Sequence, residues 1–166
     1  LTPAAGGRAV YLNQQPELGF VAEQVDDEIA FALQQRRLSR AQVTTEVERL
    51  ATALGVDHLL NRRVSEISAG QQQRVAIAAA LATGYRTILL DEPSSALDAD
   101  GIGALQTLLG ELKSFGVTVV IAEHHLDRFA DQADEFFILE AAKLRRASDS
   151  EIRALSSRRL KPVALT

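Results

Sequence analysis

The chain has 166 residues, with 18 Lys and Arg against 22 Asp and Glu for a formal charge of −4, and 46% of its residues are hydrophobic. That balance suits a globular chain with a buried core and excludes disorder and collagen-like repeats, while the acidic surplus argues against a binder of nucleic-acid phosphates. With no Cys, disulfides, thiolate catalysis and Cys-based zinc sites are excluded, and three His do not suggest a zinc site by themselves. No apolar run approaches the roughly 18 residues of a membrane span, and no charged-then-apolar leader opens the chain. The chain begins at Leu1 and contains no Met, as expected of a trimmed or partly represented chain.

Ala9-Val10-Tyr11-Leu12 reads as a strand, ended at Gln14-Gln15-Pro16 because the residue before Pro is pushed out of the α region. Val25 to Arg37 reads as a helix with Asp26, Asp27 and Glu28 in its first turn, where they complement the dipole. A second helix starts at Ser39, capped with Gln42, and stops at Gly55; Val43, Val47, Leu50 and Leu54 mark one face. Ser68 to Thr83 is an Ala-rich helix ended by Gly84, and Thr87-Ile88-Leu89-Leu90 is a short apolar strand. Apolar residues from Ile102 to Phe115 recur at helical spacing and end at Gly116. Val117 to Ala122 reads as a strand, Leu126 to Ala133 as a short helix, and Phe136 to Leu139 as a further strand. The alternation of strand and helix implies right-handed crossovers and a parallel sheet. The Arg-rich tail reads as a solvated terminal segment.

In open α/β sheets, ligands bind at the carboxyl ends of strands. Three of the strands end in polar residues: Gln14, then Asp91-Glu92-Pro93, then Glu123-His124-His125. A carboxylate straight after an apolar strand needs a partner, and a cation or a cation-held water supplies one. Of two adjacent carboxylates, one can serve a cation while the other polarises water, a division that suits hydrolysis of a Mg-nucleotide. Ser68-Ala69-Gly70-Gln71 opens the Ala-rich helix, where unpaired amides and the dipole favour an anion; an ordinary N-cap accounts for the same residues. His124 is placed to donate to a terminal phosphate or to be a satisfied core histidine, and His125 points to the opposite face.

In order, the chain carries Gln14 before Pro16-Glu17, a helical insert, Ile67-Ser68-Ala69-Gly70-Gln71, Leu89-Leu90-Asp91-Glu92-Pro93, Ser95-Ala96-Leu97-Asp98 and Glu123-His124, with Gln71 and Asp91 20 positions apart. This series resembles the nucleotide-binding domain of ATP-binding cassette (ABC) proteins from about Val10 to Leu144. The resemblance implies an α/β, P-loop NTPase-like (RecA-like) core with a parallel sheet and an α-helical subdomain insertion, incomplete at the N-terminus. It divides the chain into a strand and Q-loop (1–23), a helical subdomain (24–67), the α/β core (68–144) and a C-terminal tail (145–166).

The resemblance also implies ATP and Mg2+ as cofactors. Gln14 matches the Q-loop glutamine, which helps hold Mg2+ and links the site to a transmembrane partner. Ser68, Ala69, Gly70 and Gln71 match the signature that faces nucleotide bound by the other protomer of a head-to-tail dimer; Ala69 stands where the family has a Gly, and Ile67 where it has Leu. Asp91 matches the Walker B aspartate that holds Mg2+, Glu92 the glutamate that polarises water, Asp98 the D-loop aspartate and His124 the switch histidine. The implied function is that of an ATP-binding and hydrolysing subunit of an ABC transporter. Gln14 to Glu17, Asp27 to Phe31 and Ala122-Glu123-His124 resemble the energy-coupling-factor group, which drives uptake of vitamins or of cobalt and nickel ions. The partners implied are a second ATPase protomer and a transmembrane subunit met through the Q-loop and helical subdomain, with no nucleic acid. The implied location is peripheral, on the cytoplasmic face of the cell membrane. Phe20 and Val21 lie in the loop where that membrane subunit is expected to dock, whereas Phe31 and Leu33 read as core.

The motif Gly-x-x-x-x-Gly-Lys-Ser/Thr does not occur in the 166 residues. In the family it precedes the Q-loop. The chain alone is therefore expected to bind ATP weakly and not to hydrolyse it, and to expose apolar surface that favours self-association. Two other readings stay open: a non-catalytic partner that pairs with an intact cassette or membrane subunit, and a signature-bearing ATPase of DNA repair or chromosome condensation.

Overall fold

The computed structural model describes residues 9–13, 15–95, 97–155 and 162–165. Two compact units divide the chain, Leu1–Arg86 and Thr87–Thr166. Among the described residues no helix is long and apolar enough to cross a membrane.

In the first unit, strand β1 (Ala9–Leu12) is followed by a 3-10 turn, Pro16–Gly19, opened by the proline, whose fixed φ suits a first helical position. Gln14 lies outside the described residues. Helix α1 (Val25–Leu33) buries Val25, Ile29 and Leu33 completely, a four-residue spacing that puts all three on one face. It ends four residues before the expected Arg37, passing through a 3-10 turn, Gln34–Arg36, into Arg37 at φ 52°. Helix α2 (Arg40–Ala53) starts on a capping box: the Ser39 hydroxyl accepts from the Gln42 amide, and the Gln42 side chain accepts from the Ser39 amide. Gly55, at φ 66°, follows it in the left-handed region that favours glycine. Helix α3 (Ala69–Ala82) packs against α1 and α2. Its buried residues, Val75 to Ala78, Ala80 and Ala82, lie nearly all round the helix, and the small Ala side chains let its neighbours approach closely.

In the second unit, β2 (Thr87–Asp91) and β3 (Thr118–Ala122) pair in parallel, in register from Thr87↔Thr118 to Asp91↔Ala122. Between them runs α4 (Ala99–Ser114), which packs on β3 and buries Leu105, Leu108, Leu109 and Leu112. Each such side chain contributes about 1.5–3 kcal/mol of hydrophobic stabilisation. Strand β4 (Glu135–Glu140) and strand β5 (Lys143–Arg146) form an antiparallel hairpin.

Two expectations change here. The helix expected from Leu126 to Ala133 is a 3-10 turn, Leu126–Arg128, followed by irregular turns. Phe129 leaves the helical region at φ −125° and is buried to 1% exposure, so side-chain burial overrides local helical pattern at this point. The tail is also not a simple solvated segment. Helix α5 (Asp149–Leu155) follows the hairpin, and strand β6 (Pro162–Leu165) inserts between β3 and β4, antiparallel to both. The strand order of this unit is β2-β3-β6-β4-β5. Its parallel β2–β3 core is therefore continued by antiparallel pairs, because the strand between β3 and β4 comes from the end of the chain.

Candidate functional site

The parallel register of β2 and β3 ends with Asp91 opposite Ala122. The next residue on each strand therefore emerges at the same carboxyl-terminal edge of the sheet. The Glu92 amide extends the ladder by one bond, donating to the Ala122 carbonyl at 2.8 Å. Glu92 sits at φ 45°, in the left-handed region. For a non-glycine residue this costs about 1–3 kcal/mol, a strain that clusters at functional sites. It turns the side chain toward His124, whose Nε2 lies 2.8 Å from Glu92 Oε1, both side chains about one-third exposed. Asp91, the last residue of β2, is half-buried. A hard carboxylate at a strand end suits Mg2+, which binds through one or two carboxylates and substrate phosphates. Among the described residues no cluster of three His, Asp or Glu forms a closed cage. Asp98 caps α4, its Oδ1 accepting from the Gly101 amide at 2.9 Å. His125 is exposed, as expected.

Sequence reasoning gave Glu123 no structural part, yet it is 4% exposed and central to this edge. Its Oε1 accepts from the amides of His124, at 2.7 Å, and His125, at 3.1 Å. Its Oε2 accepts from the hydroxyl and the amide of Ser94. Ser94 is fully buried and is held in turn by Arg128, whose Nη1 donates to the Ser94 carbonyl at 2.9 Å and to its hydroxyl at 2.8 Å. The signal available in the sequence was a carboxylate continuing the inward positions Val119 and Ile121 of β3. Burial acts to raise the Glu123 pKa, but the bonds from Ser94 and from the His125 and His124 amides outweigh it, leaving the carboxyl below its ordinary value. A carboxyl depressed in the folded state contributes stability above the usual carboxylate range and loses it as pH falls through its folded pKa. Acid unfolding followed by circular dichroism is expected to be steeper for the native sequence than for Glu123→Gln, the two curves converging at low pH. Parallel curves would contradict it.

The Ser68-Ala69-Gly70-Gln71 segment lies in the first unit and forms the start of α3. The Ser68 hydroxyl accepts from the Gln71 amide at 3.3 Å, and Gln71 Oε1 accepts from the Ser68 amide at 2.9 Å. This is the same capping box as at Ser39 and Gln42, so the cap alone does not mark a site. Ala69 is the first residue of the helix and has no positive φ; glycine is not needed there for backbone reasons. A Cβ on Gly70 would meet nothing within 4 Å, so its missing side chain answers no packing demand inside the chain.

A groove of about 780 Å³ opens in the first unit between β1, the loop after it, α1 and the later turns of α3. Tyr11, Leu18, Val21 and Phe31 line it and are half or more exposed, and Phe20 is half-buried. Phe31 is thus not core as expected, because α1 turns its buried stripe of Val25, Ile29 and Leu33 away from it. Glu28, read as a dipole-complementing acid, is buried, and its Oε2 accepts from the amides of Val21, at 2.9 Å, and Ala22, at 2.8 Å. That carboxylate shapes the loop that presents Val21.

Residues 3–95 match the ABC transporter family profile. A putative ABC transporter ATP-binding protein of Treponema denticola is 32% identical over 144 residues, covering 87% of this chain and 29% of the relative. The energy-coupling factor transporter ATP-binding protein EcfA1 of Halalkalibacterium halodurans is 34% identical over 131 residues, covering 79% of this chain and 47% of that protein. The chain thus spans half or less of the length of these curated relatives. Among solved structures, CbiO1 of Clostridium perfringens, part of the ABC transporter complex CbiONQ, superposes with a TM-score of 0.78 at 26% identity, over 88% of this chain and 59% of CbiO1. The α/β, P-loop NTPase-like fold is accordingly that of ABC ATPase domains. With its motifs in the family's order and its strand ends carrying acidic and histidine groups, the chain belongs to the ATP-binding proteins of the ABC transporter family.

Proposed function

We propose that the chain is the signature- and water-activating portion of an ATP-hydrolysing subunit of an energy-coupling-factor-type importer of vitamins or metal ions. The observation that carries this reading is the Glu92–His124 contact at the ends of paired parallel strands. The Glu92 carboxylate is the acceptor that draws a proton from an attacking water, and its strained backbone aims it across the sheet edge. His124, fixed against Glu92 through Nε2, holds its ring at the sheet edge where a terminal phosphate arrives. Asp91 would hold Mg2+, which would supply neutralisation of charge on the phosphate oxygens. Ser68 to Gln71 offer the helix N-terminus of α3 to nucleotide held by the second protomer of a head-to-tail dimer, and Asp98 is a further nucleotide contact.

The two capping boxes give an internal control. Ser39→Ala and Ser68→Ala are each expected to lower stability by about 0.5–2 kcal/mol, measured by urea unfolding, but only Ser68→Ala slows ATP hydrolysis by the full-length protein. Equal rates in both variants would remove Ser68 from the reaction.

The membrane subunit docks in the groove beside Phe20 and Val21, on the cytoplasmic face of the membrane, with the Glu28 carboxylate holding the loop in its presenting shape. Substituting both Phe20 and Val21 by Ser is expected to abolish coupled uptake while leaving thermal stability nearly unchanged; unimpaired uptake would refute the docking site.

The 166 residues hold no Gly-x-x-x-x-Gly-Lys-Ser/Thr motif, whose backbone amides and lysine supply most of the phosphate contacts. The 166 residues taken alone are expected not to hold nucleotide tightly. Isothermal titration of the 166-residue chain with Mg-ATP is expected to show no micromolar binding; such binding would overturn this part of the account. Function as an ATPase is tested on the full-length protein by phosphate release that depends on Glu92 and His124.

A further inference from the structure

The ATPase reading gives Glu92 and His124 their parts and leaves Glu123 without one. We propose that Glu123 is a positioning residue whose buried carboxylate fixes His124 against Glu92 by clamping the two loops that carry them. The inference rests on the functional reading above.

The geometry supports it at both ends of the clamp. Val119, Ile121 and Glu123 are successive inward positions on and just after β3, all 4% exposed or less. Packing alone would be served by a third branched aliphatic residue, and burying a carboxylate is costly unless its lone pairs are filled. Here they are filled by groups one or two residues from each member of the pair. Oε1 takes the amides of His124 and His125, which sets the backbone turn from which the imidazole projects. Oε2 takes the hydroxyl and amide of Ser94, two residues beyond Glu92. Arg128 then closes the arrangement from the 3-10 turn, holding both the carbonyl and the hydroxyl of Ser94. The Arg128 carbonyl itself accepts from Gln106 on α4, and Gln132 bonds the Gln106 carbonyl. One carboxylate therefore links the turn after β2 with the turn after β3, and a helix anchors the link. Its neutral amide replacement keeps the shape but has one accepting oxygen in place of two, so it cannot accept both from the His124 and His125 amides and from Ser94, and the link between the two turns weakens.

The test is a double-mutant cycle on steady-state ATP hydrolysis by the full-length protein. Glu123→Gln is expected to lower kcat by about tenfold to a hundredfold with KM for Mg-ATP unchanged, since the residue is placed to act on the reacting pair. In the His124→Ala background the same substitution is expected to cost nothing further, because its effect runs through His124. Where Glu123→Gln does not fold, Ser94→Ala, which removes the hydroxyl bond to Oε2 and leaves the backbone-amide bonds to both oxygens, carries the same two expectations. Native kcat in the single variants overturns the inference, and so does an equal loss with and without His124, which marks a structural effect alone. Native hydrolysis in His124→Ala instead overturns the ATPase reading of this pair, and the inference falls with it.

Discussion

Replacing Glu92 by Gln is expected to lower ATP hydrolysis by the full-length protein about 10²–10⁴-fold, with Mg-ATP binding retained. That range is the usual contribution of a positioned general base. The substitution keeps the volume of the side chain and a polar contact with His124 Nε2, so the fold and the nucleotide contacts are preserved. What is lost is a basic oxygen able to take a proton from water. The left-handed backbone at φ 45° is retained too, since Gln tolerates that region no better than Glu. The strain therefore does not relax, and stability is expected to stay close to native. Phosphate release together with equilibrium nucleotide binding separates the two quantities. A rate within a few-fold of native would show that another group activates the water.

The largest expected loss of stability is at Phe129. It is 1% exposed, among the largest of the fully buried side chains, and it terminates the 3-10 turn that carries Arg128. Phe129→Ala removes the ring and leaves a cavity, which costs about 3–5 kcal/mol. The backbone bonds around it, in which its carbonyl accepts from the amides of Gln132 and Ala133 at 3.0 and 3.1 Å, do not depend on the ring. The loss is therefore expected from packing alone. Urea unfolding of the variant measures it, and a change below about 1 kcal/mol would mean that the site collapses to fill the gap. Because Arg128 is the preceding residue, the same variant is expected to loosen the Ser94 link and slow hydrolysis in the full-length protein.

Much of the architecture was legible because the chain states it locally. The helix caps at Ser39 and Ser68, the stops at Gly55, Gly84 and Gly116, and the apolar strands ending at Asp91 and Ala122 all lie where hydrophobic periodicity and cap chemistry place them. The departures share a physical cause, which is tertiary context. The turn at Leu126–Arg128 does not extend into a helix because Phe129 is drawn into the core. Strand β6 takes its place between β3 and β4 through pairing with strands distant in sequence, which no local pattern encodes. Phe31 is exposed because α1 needs only one stripe for its neighbours.

The same division holds at the candidate site. Asp91, Glu92 and His124 were identifiable because polar residues follow apolar strands, and register brings the strand ends together. Gln14 lies outside the described residues. Glu123, Ser94 and Arg128 were not identifiable, since their link depends on side chains meeting across a 29- or 34-residue separation. Glu123 carried the one available hint, a carboxylate at an inward strand position, and Glu28 carried none beyond its place in a first helical turn.

The central claim is that the Glu92–His124 pair is the hydrolytic half of an ABC ATPase site. Phosphate release from Mg-ATP by the full-length protein, native and His124→Ala at the same nucleotide occupancy, tests it most directly. The account predicts steady hydrolysis by the native protein and a loss of about 10²-fold or more in the variant, with nucleotide still bound. Equal rates in the two proteins would contradict it.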